Sequence, residues 1–323
     1  MCTAISYSNG DHYFGRNLDL ECNFHETVTI TPQNFPFHFQ FTDLLDKHYA
    51  MIGVSSVVDG YPLYYEATNE FGLSMAGLNF PGNAVYSSSQ SKKLNLAPYE
   101  LIPWFLGQYK TVCELRPQLS NLNIIDAPFS DKLPNSPLHW MLSDKHKSIV
   151  LEQTQSGIHI YDNPVNVLTN NPPFPFHLQN LSNYLNLTSQ EPSNRFSPAL
   201  RLNAYSRGMG GIGLPGDLSS SSRFIRAAFT LHNSVVETDE YKNVNQFFHI
   251  LGTVSQTSGC VKIKDLYEKT LYASCCNTDK LIYYYRTYYN SGLTAIRMNQ
   301  QNTTGFELIC FPLRNAPSIH FEN

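Results

Sequence analysis

Cys2 stands directly behind the initiator Met1. Initiator methionine is removed most readily when the next side chain is small, and its removal would leave Cys2 with a thiol and a free α-amine on one residue. The amine has an ordinary pKa of about 7.7–8.0 and the thiol one of about 8.5. Near neutral pH the amine can therefore take the thiol proton and later pass it to a leaving amine. Nucleophile and base then share a residue, the logic of N-terminal-nucleophile chemistry, and the reaction it suits is amide cleavage. With Met1 retained, the same nitrogen is itself an amide and the chemistry is blocked.

The elements around Cys2 decide what else can reach it. Residues 1–8 alternate in the manner of a strand and run into Asn9-Gly10, a strong two-residue turn signal, before 11–17 return. A strict two-residue loop places Ser8 opposite Asp11 and Cys2 opposite Asn17. Side chains alternate along a strand, so Cys2, Asn17 and Asp19 are expected on one face. Asp19 is then a diagonal neighbour, about 7–8 Å away between backbones, with a carboxylate able to hold the charged amine. The same count puts Arg16 opposite Thr3 on the other face. Only a bulge at Gly15 would swing its charge toward a thiolate.

Further along, strand-like runs occupy 27–31, 49–58, 61–68 and 73–80, with Asn-Glu-Phe-Gly at 69–72 as a turn. Apolar spacing turns helical over 98–119, where Pro103 sits early enough to be a first-turn residue. Strands resume at 138–142, 148–153, 157–161 and 165–169, and 176–187 reads as a helix. A Pro-, Ser- and Gly-rich loop covers 191–216; a loop this long inside a compact fold is usually functional or mobile. Helices at 219–235, capped by serines, and at 244–254 precede strands at 271–276, 281–289, 293–298 and 306–311. This succession predicts an α+β sandwich of two stacked sheets covered by helices.

Composition narrows the function. The chain has 323 residues, 42% hydrophobic and 15% charged, with a formal net charge of −4 and scattered basic residues. A nucleic-acid partner would want a basic face. No apolar run approaches the roughly 18 residues of a membrane span, and the N-terminus has neither the basic start nor the apolar stretch of a secretory signal. The expectation is a cytoplasmic protein with a small-molecule substrate, no membrane and no nucleic acid. Of the seven cysteines, the six besides Cys2 read as small apolar residues of a reduced protein. Cys275-Cys276 lacks the spacing by which two thiolates grip one ion, so no metal is expected.

The opening MCTAISYSNGDHYFGRNLDLE resembles the start of the choloylglycine hydrolase family, the bile salt hydrolases and penicillin V acylases of the N-terminal-nucleophile hydrolase superfamily. Similar motifs follow in the family's order: NEFGLSMAGLNFPG at 69–82, NSPLHWMLSDKHKSIVLEQT at 135–154, VLTNNPPFPFH at 167–177, GLPGDLSSSSRFIRAAF at 213–229 and LYASCCN at 271–277. The resemblance covers essentially the whole chain. It implies one domain over 1–323 with a four-layer αββα fold, a homotetramer and no cofactor. It assigns the nucleophile to Cys2, with Arg16 and Asp19 of FGRNLD beside it. Asn79 of GLNFP and Asn170 of LTN fall in the oxyanion region, and Arg223 of SRF in the catalytic cluster. Attack on an amide creates an oxyanion that needs donors aimed at it, each worth about 10²–10³ in rate. The two Asn side-chain amides, with backbone N–H groups, fit that need. Arg223 cannot give up its proton, so it can only stabilise negative charge or orient Asp19.

Within the family, penicillin V acylases commonly carry Tyr where this chain has Asn79, so the bile salt branch is favoured, with conjugated bile acids as substrate. A steroid needs an apolar trough. The positions that match the family's mobile loops are Leu18, Phe24, Val58, Tyr65, Phe129 and Leu133, the last two in a loop expected to expose them. Arg207 of Tyr-Ser-Arg-Gly could meet the sulfonate or carboxylate of the leaving amino acid. Two alternatives stand beside this reading. One is a relative acting on penicillin V or acyl-homoserine lactones; the other is a catalytically silent steroid- or acyl-binding protein of the same fold.

Overall fold

The computed structural model describes residues 1–235 and 237–323. Strands β1 (Cys2–Asn9) and β2 (Asp11–Leu20) form the expected hairpin, and β3 (Thr27–Thr31), β4 (Met51–Val58), β5 (Tyr61–Asn69) and β6 (Ser74–Asn79) follow as a meander. A short β7 (Leu94–Leu96) leads into α1 (Leu101–Gln108) and α2 (Val112–Leu115); β8 (Leu122–Ile124) then pairs with it in parallel. Next come β9 (Leu138–Ser143), β10 (Ser148–Thr154), β11 (Gly157–Asp162) and β12 (Val167–Leu168). Three helices follow: α3 (Phe174–Asn180), α4 (Ser220–Asn233) and α5 (Glu240–Gly252). The chain closes with β13 (Val261–Ile263), β14 (Leu266–Asn277), β15 (Ile282–Thr287), β16 (Thr294–Arg297), α6 (Gln300–Thr303) and β17 (Ile309–Pro312).

The strands build two large antiparallel sheets. One runs β12-β1-β2-β14-β15-β16, with β13 beside β14; the other runs β11-β10-β9-β6-β5-β4-β3-β17. The sheets face each other where β1 and β2 meet β6. Helices α4 and α5 cover the outer side of the first sheet, and α1 covers the outer side of the second at β5 and β6. The expected α+β sandwich of two sheets between helical layers is what forms. In its outer core beside α1, Leu101, Phe105 and Leu106 of the helix pack on Met75, Trp140, Leu142 and Leu151 of the sheet, with buried Glu100 and Asn69 at the two ends of the helix.

Helix limits differ from the spacing where a local conformation intervenes. The stretch expected as one helix over 98–119 is broken because Tyr109 is extended (φ −117°, ψ 144°) and Thr111 restarts the chain by capping α2, its side chain accepting from the Glu114 N–H at 3.2 Å. The helix expected over 176–187 begins earlier, at Phe174 behind Pro173, and gives way after Asn180 to a 3₁₀ turn (Leu181–Tyr184). Ser219 caps α4 as predicted, accepting from the Ser222 N–H.

Candidate active site

The hairpin that carries Cys2 has a register one residue away from the strict-loop count. Asn9 pairs with Asp11 around Gly10, whose φ is 69°, so Cys2 lies opposite Leu18, Thr3 opposite Asn17 and Ala4 opposite Arg16. A one-residue slip exchanges the two faces of a strand, and the expected partition is overturned on both counts. Arg16 and Leu18 share the face of Cys2, between the two sheets. Asn17 and Asp19 share the face of Thr3, toward the helices, where Asn17 Nδ2 donates to the Leu251 carbonyl of α5 at 2.9 Å. No bulge at Gly15 is needed. That glycine serves a close approach instead: a Cβ there would stand 2.0 Å from the Ser274 carbonyl oxygen.

Arg16 is fully buried and crosses from one sheet to the other. Its Nη1 donates to the Gly77 carbonyl at 2.6 Å and the Tyr65 carbonyl at 3.0 Å, while Nη2 has no protein partner among the described residues. Burial works against its charge, but Cys2, Tyr272 and Glu66 outweigh it and hold the guanidinium above its ordinary pKa. A fixed positive charge therefore stands on the same face of the hairpin as the Cys2 sulfur.

Cys2 itself is 2% exposed. Its N–H donates to Asn170 Oδ1 at 2.8 Å, and Arg223 Nη2 donates to the same oxygen at 2.7 Å. Arg223 Nη1 donates to the Cys2 carbonyl at 2.5 Å and to Thr3 Oγ1 at 2.7 Å, and its Nε to the Leu218 carbonyl at 3.0 Å. Standing on the first turn of α4, Arg223 is wholly buried rather than a surface contact. Burial pulls its pKa down, opposed by Asp19 and Cys2. Asp19 accepts from Thr270 Oγ1 at 2.6 Å on one oxygen, and its other oxygen is buried without a partner among the described residues. Burial pushes its carboxyl up to about 6, against the pull of Arg223 and the N-terminal ammonium.

The two asparagine side chains are engaged differently. The Asn170 amide is committed to protein: Oδ1 takes the two donors just named, and Nδ2 donates to the Asn79 backbone carbonyl at 2.7 Å. Asn79, partly exposed at the end of β6, has a side-chain amide with no hydrogen-bond partner among the described residues. Asn170 is braced on every side, since its N–H donates to Ser220 Oγ at 2.8 Å and its carbonyl meets His177 Nε2 at 2.9 Å. One residue earlier, the Thr169 carbonyl meets His139 Nε2 at 2.9 Å, and His139 Nδ1 lies 3.0 Å from Glu152. Sequence reasoning missed His139, Glu152, His177 and Ser220. All four lie inside motifs already quoted, but nothing in residue type separates a brace from ordinary core.

Met1 occupies the position ahead of Cys2 as one more rung of the hairpin. Its ammonium donates to the Asp19 carbonyl at 2.8 Å and pairs with the buried Glu268 carboxylate; its carbonyl accepts from the Asp19 N–H at 3.0 Å. Surface clefts of about 520, 280 and 510 Å³ lie elsewhere, around His48, around Lys147 and around Arg297, and none is lined by Cys2.

The expected trough residues sort along one hairpin end. Leu18 is buried beside Cys2, with Tyr65 packed against the same cluster. Tyr65 Oη and Ser56 Oγ are 3.0 Å apart, and Ser56 donates to the carbonyl of the exposed Phe24 at 2.9 Å. Val58 pairs with Tyr61, and the Phe129 ring lies 5.6 Å from Tyr61 and 5.3 Å from Tyr99. Phe129 is therefore half-buried in an aromatic cluster rather than exposed by its loop; Leu133, bridged to Ser130, is half-buried too. Arg207 is exposed in the long loop between α3 and α4. The cysteine expectation needs a further correction. Cys275 and Cys276 are buried as expected, but Cys22, Cys113, Cys260 and Cys310 are exposed.

A family model for linear amide C–N hydrolases of the choloylglycine hydrolase family matches residues 2–311. The chain belongs to the choloylglycine hydrolase family. Across the full length of both chains it is 51% identical to a bile salt hydrolase/transferase of Lactiplantibacillus plantarum and 38% identical to one of Clostridium perfringens. Its structure superposes on a solved variant of the conjugated bile acid hydrolase of Clostridium perfringens with a TM-score of 0.92, at 37% identity and full coverage of both chains. Around Cys2, the structure brings Asn170 and Arg223 into direct hydrogen-bond contact with its backbone and sets Arg16 on its face of the hairpin, while Asp19 lies on the opposite face.

Proposed function

We propose that the chain cleaves the amide bond of glycine- or taurine-conjugated bile acids, with Cys2 as nucleophile once Met1 is removed. The observation that carries this reading is the anchoring of the Cys2 nitrogen on Asn170 Oδ1 at 2.8 Å, in a hairpin whose Asp19 carboxylate keeps one oxygen without a partner among the described residues. A free amine has two N–H groups. Directing one to Asn170 and the other to Asp19 leaves the lone pair for the thiol proton. The thiolate, favoured by Arg16, attacks the substrate carbonyl, and the Asn79 side-chain amide donates to the oxyanion. Asn170 then orients the base instead of serving as the second oxyanion donor, and Arg223 holds Asn170 and the Cys2 carbonyl. The protonated amine gives its proton to the departing taurine or glycine nitrogen. Water completes the cycle by displacing the cholyl group from sulfur. Relatives named hydrolase/transferase support a second outcome, in which an amine replaces water in that last step.

Leu18, Phe24, Val58 and Tyr65 form the proposed apolar wall for the steroid, with Phe129 and Leu133 at its outer lip, and Arg207 meets the anionic end of the leaving amino acid. The loop over 185–219 supports a homotetramer: Leu185, Phe196 and Tyr205 are 85%, 83% and 84% exposed, an apolar surface that a second copy would cover. Light scattering should give four times the chain mass. One domain over 1–323 accounts for the two shared sheets. Four exposed free cysteines suit the reducing cytoplasm, and no helix among the described residues is long and apolar enough to cross a membrane. Amine release from taurocholate, glycocholate and penicillin V, measured side by side, tests the substrate reading. Turnover of both bile salts above penicillin V is expected, and preference for penicillin V would overturn it.

A further inference from the structure

Arg16 is a buried cation with two acidic neighbours, Cys2 and a carboxylate. Glu66 of β5 lies with Oε2 at 3.9 Å from Arg16 Nη1, and both side chains are buried. Three hydroxyls from the opposite sheet hold it: Tyr272 at 2.7 Å, Tyr283 at 2.5 Å and Ser274 at 3.3 Å. Such a set of donors suits an ionised carboxylate, which can only accept. Burial raises the Glu66 pKa, with Arg16 and the tyrosine hydroxyls pulling the other way.

The backbone is built to aim this residue. Val54 pairs with Glu66 and Ser55 with Tyr64, so Tyr65 is an extra residue, a bulge on β5. Tyr64 and Ala67 both pack in the outer core beside α1. Strict alternation would send Glu66 to the same outer side as Tyr64. The bulge turns it inward, between the sheets, onto Arg16.

We propose that Glu66 is the counter-ion that positions Arg16 against Cys2, fixing where the guanidinium stands and how much of its charge the sulfur feels. The inference rests on Cys2 as the nucleophile, and Glu66 acts only through Arg16, as a positioning residue. Titratable groups face this line from the packed strands, Tyr65 on β5, Tyr272 and Cys276 on β14 and Tyr283 on β15, while Asp19, Glu268 and Arg223 are coupled to one another on the helical side of the sheet. Tyr272 and Tyr283 are held well above their ordinary pKa by burial first, and remain donors throughout the working range.

The test is the pH dependence of Cys2 alkylation by iodoacetamide, in protein shown by mass to begin at Cys2. It is followed on the N-terminal peptide, because four other cysteines are exposed. Glu66→Gln leaves the full Arg16 charge to the sulfur and should lower the midpoint by about half to one pH unit. Arg16→Gln should raise it, and adding Glu66→Gln to that variant should change nothing further. An unmoved midpoint in folded Glu66→Gln overturns the proposal, as does a shift that survives intact without Arg16. Should Glu66→Gln fail to fold, Glu66→Asp, which keeps the charge, must hold the wild-type midpoint; a displaced midpoint there counts against the proposal. Predicted alkylation shifts without any bile salt hydrolysis would leave this inference standing and remove the function instead.

Discussion

Two layers of the same sandwich are built on opposite plans. Outside the second sheet, α1 seals a largely apolar core of Phe105, Leu106, Met75 and Trp140, its buried polar groups, Glu100 and Asn69, spent on capping the two ends of the helix. Between the sheets beneath Cys2, the buried groups are Arg16, Glu66, Tyr272 and Tyr283, with Asp19 and Arg223 just beyond on the helical side. Burying charge is costly unless it is paired and hydrogen-bonded, so the second layer is a poor way to gain stability. It is a good way to hold fixed charges at a reacting sulfur. The contrast teaches that the apolar layer carries the fold and the polar layer carries the chemistry.

Mutations can break that contrast or sharpen it. Phe105→Ala should cost about 3–5 kcal/mol of stability, read as a lower thermal midpoint, with bile salt turnover per folded molecule unchanged. Asn79→Ala should do the reverse, losing about 10²–10³ in kcat with the thermal midpoint nearly unmoved. If Asn79→Ala unfolded the protein and Phe105→Ala stopped catalysis, the division of labour would be wrong.

Acid should act on the polar parts first. His12 and His177 are held neutral by burial, each at a pKa of about 4 against the ordinary 6.5. A folded pKa below the unfolded one means stability that is full above 6.5 and lost as pH falls toward 4. Asp19, raised from 3.8 to about 6 by burial, runs the other way: its contribution is full below 3.8 and lost as pH rises through about 6. Glu66 and Glu100, raised by burial, run with Asp19, and His48, lowered by burial, runs with the two histidines, so the test is made on one group: His177→Gln should shrink the change in thermal midpoint that His177 contributes between pH 7 and pH 4.5. The smallest expected effect is at the exposed rim. Arg207→Ala should lower the taurine-to-glycine rate ratio several-fold, about what one exposed charge contributes, without changing stability.

Much of this molecule was legible from residue types. The Asn9-Gly10 hairpin, the Ser219 cap and the long loop all stand where the pattern places them. Register was not legible, because a single left-handed Gly10 sets the turn and residue counting cannot reveal that; one residue of slip moved Arg16 to the side of Cys2 and Asp19 away from it. Glu66 was hidden for a similar reason, since the bulge at Tyr65 breaks the alternation that would assign its face. Asn170 could be named from its motif, but which of its atoms are already engaged is a property of the folded neighbours.

The central claim is that the sulfur and the α-amine of Cys2 act together. Its most direct test compares deconjugation of taurocholate by protein that begins at Cys2 with protein that carries one unremovable residue ahead of it, both verified by N-terminal mass. Activity confined to the free-amine form is the predicted result; equal rates from the two forms would contradict it.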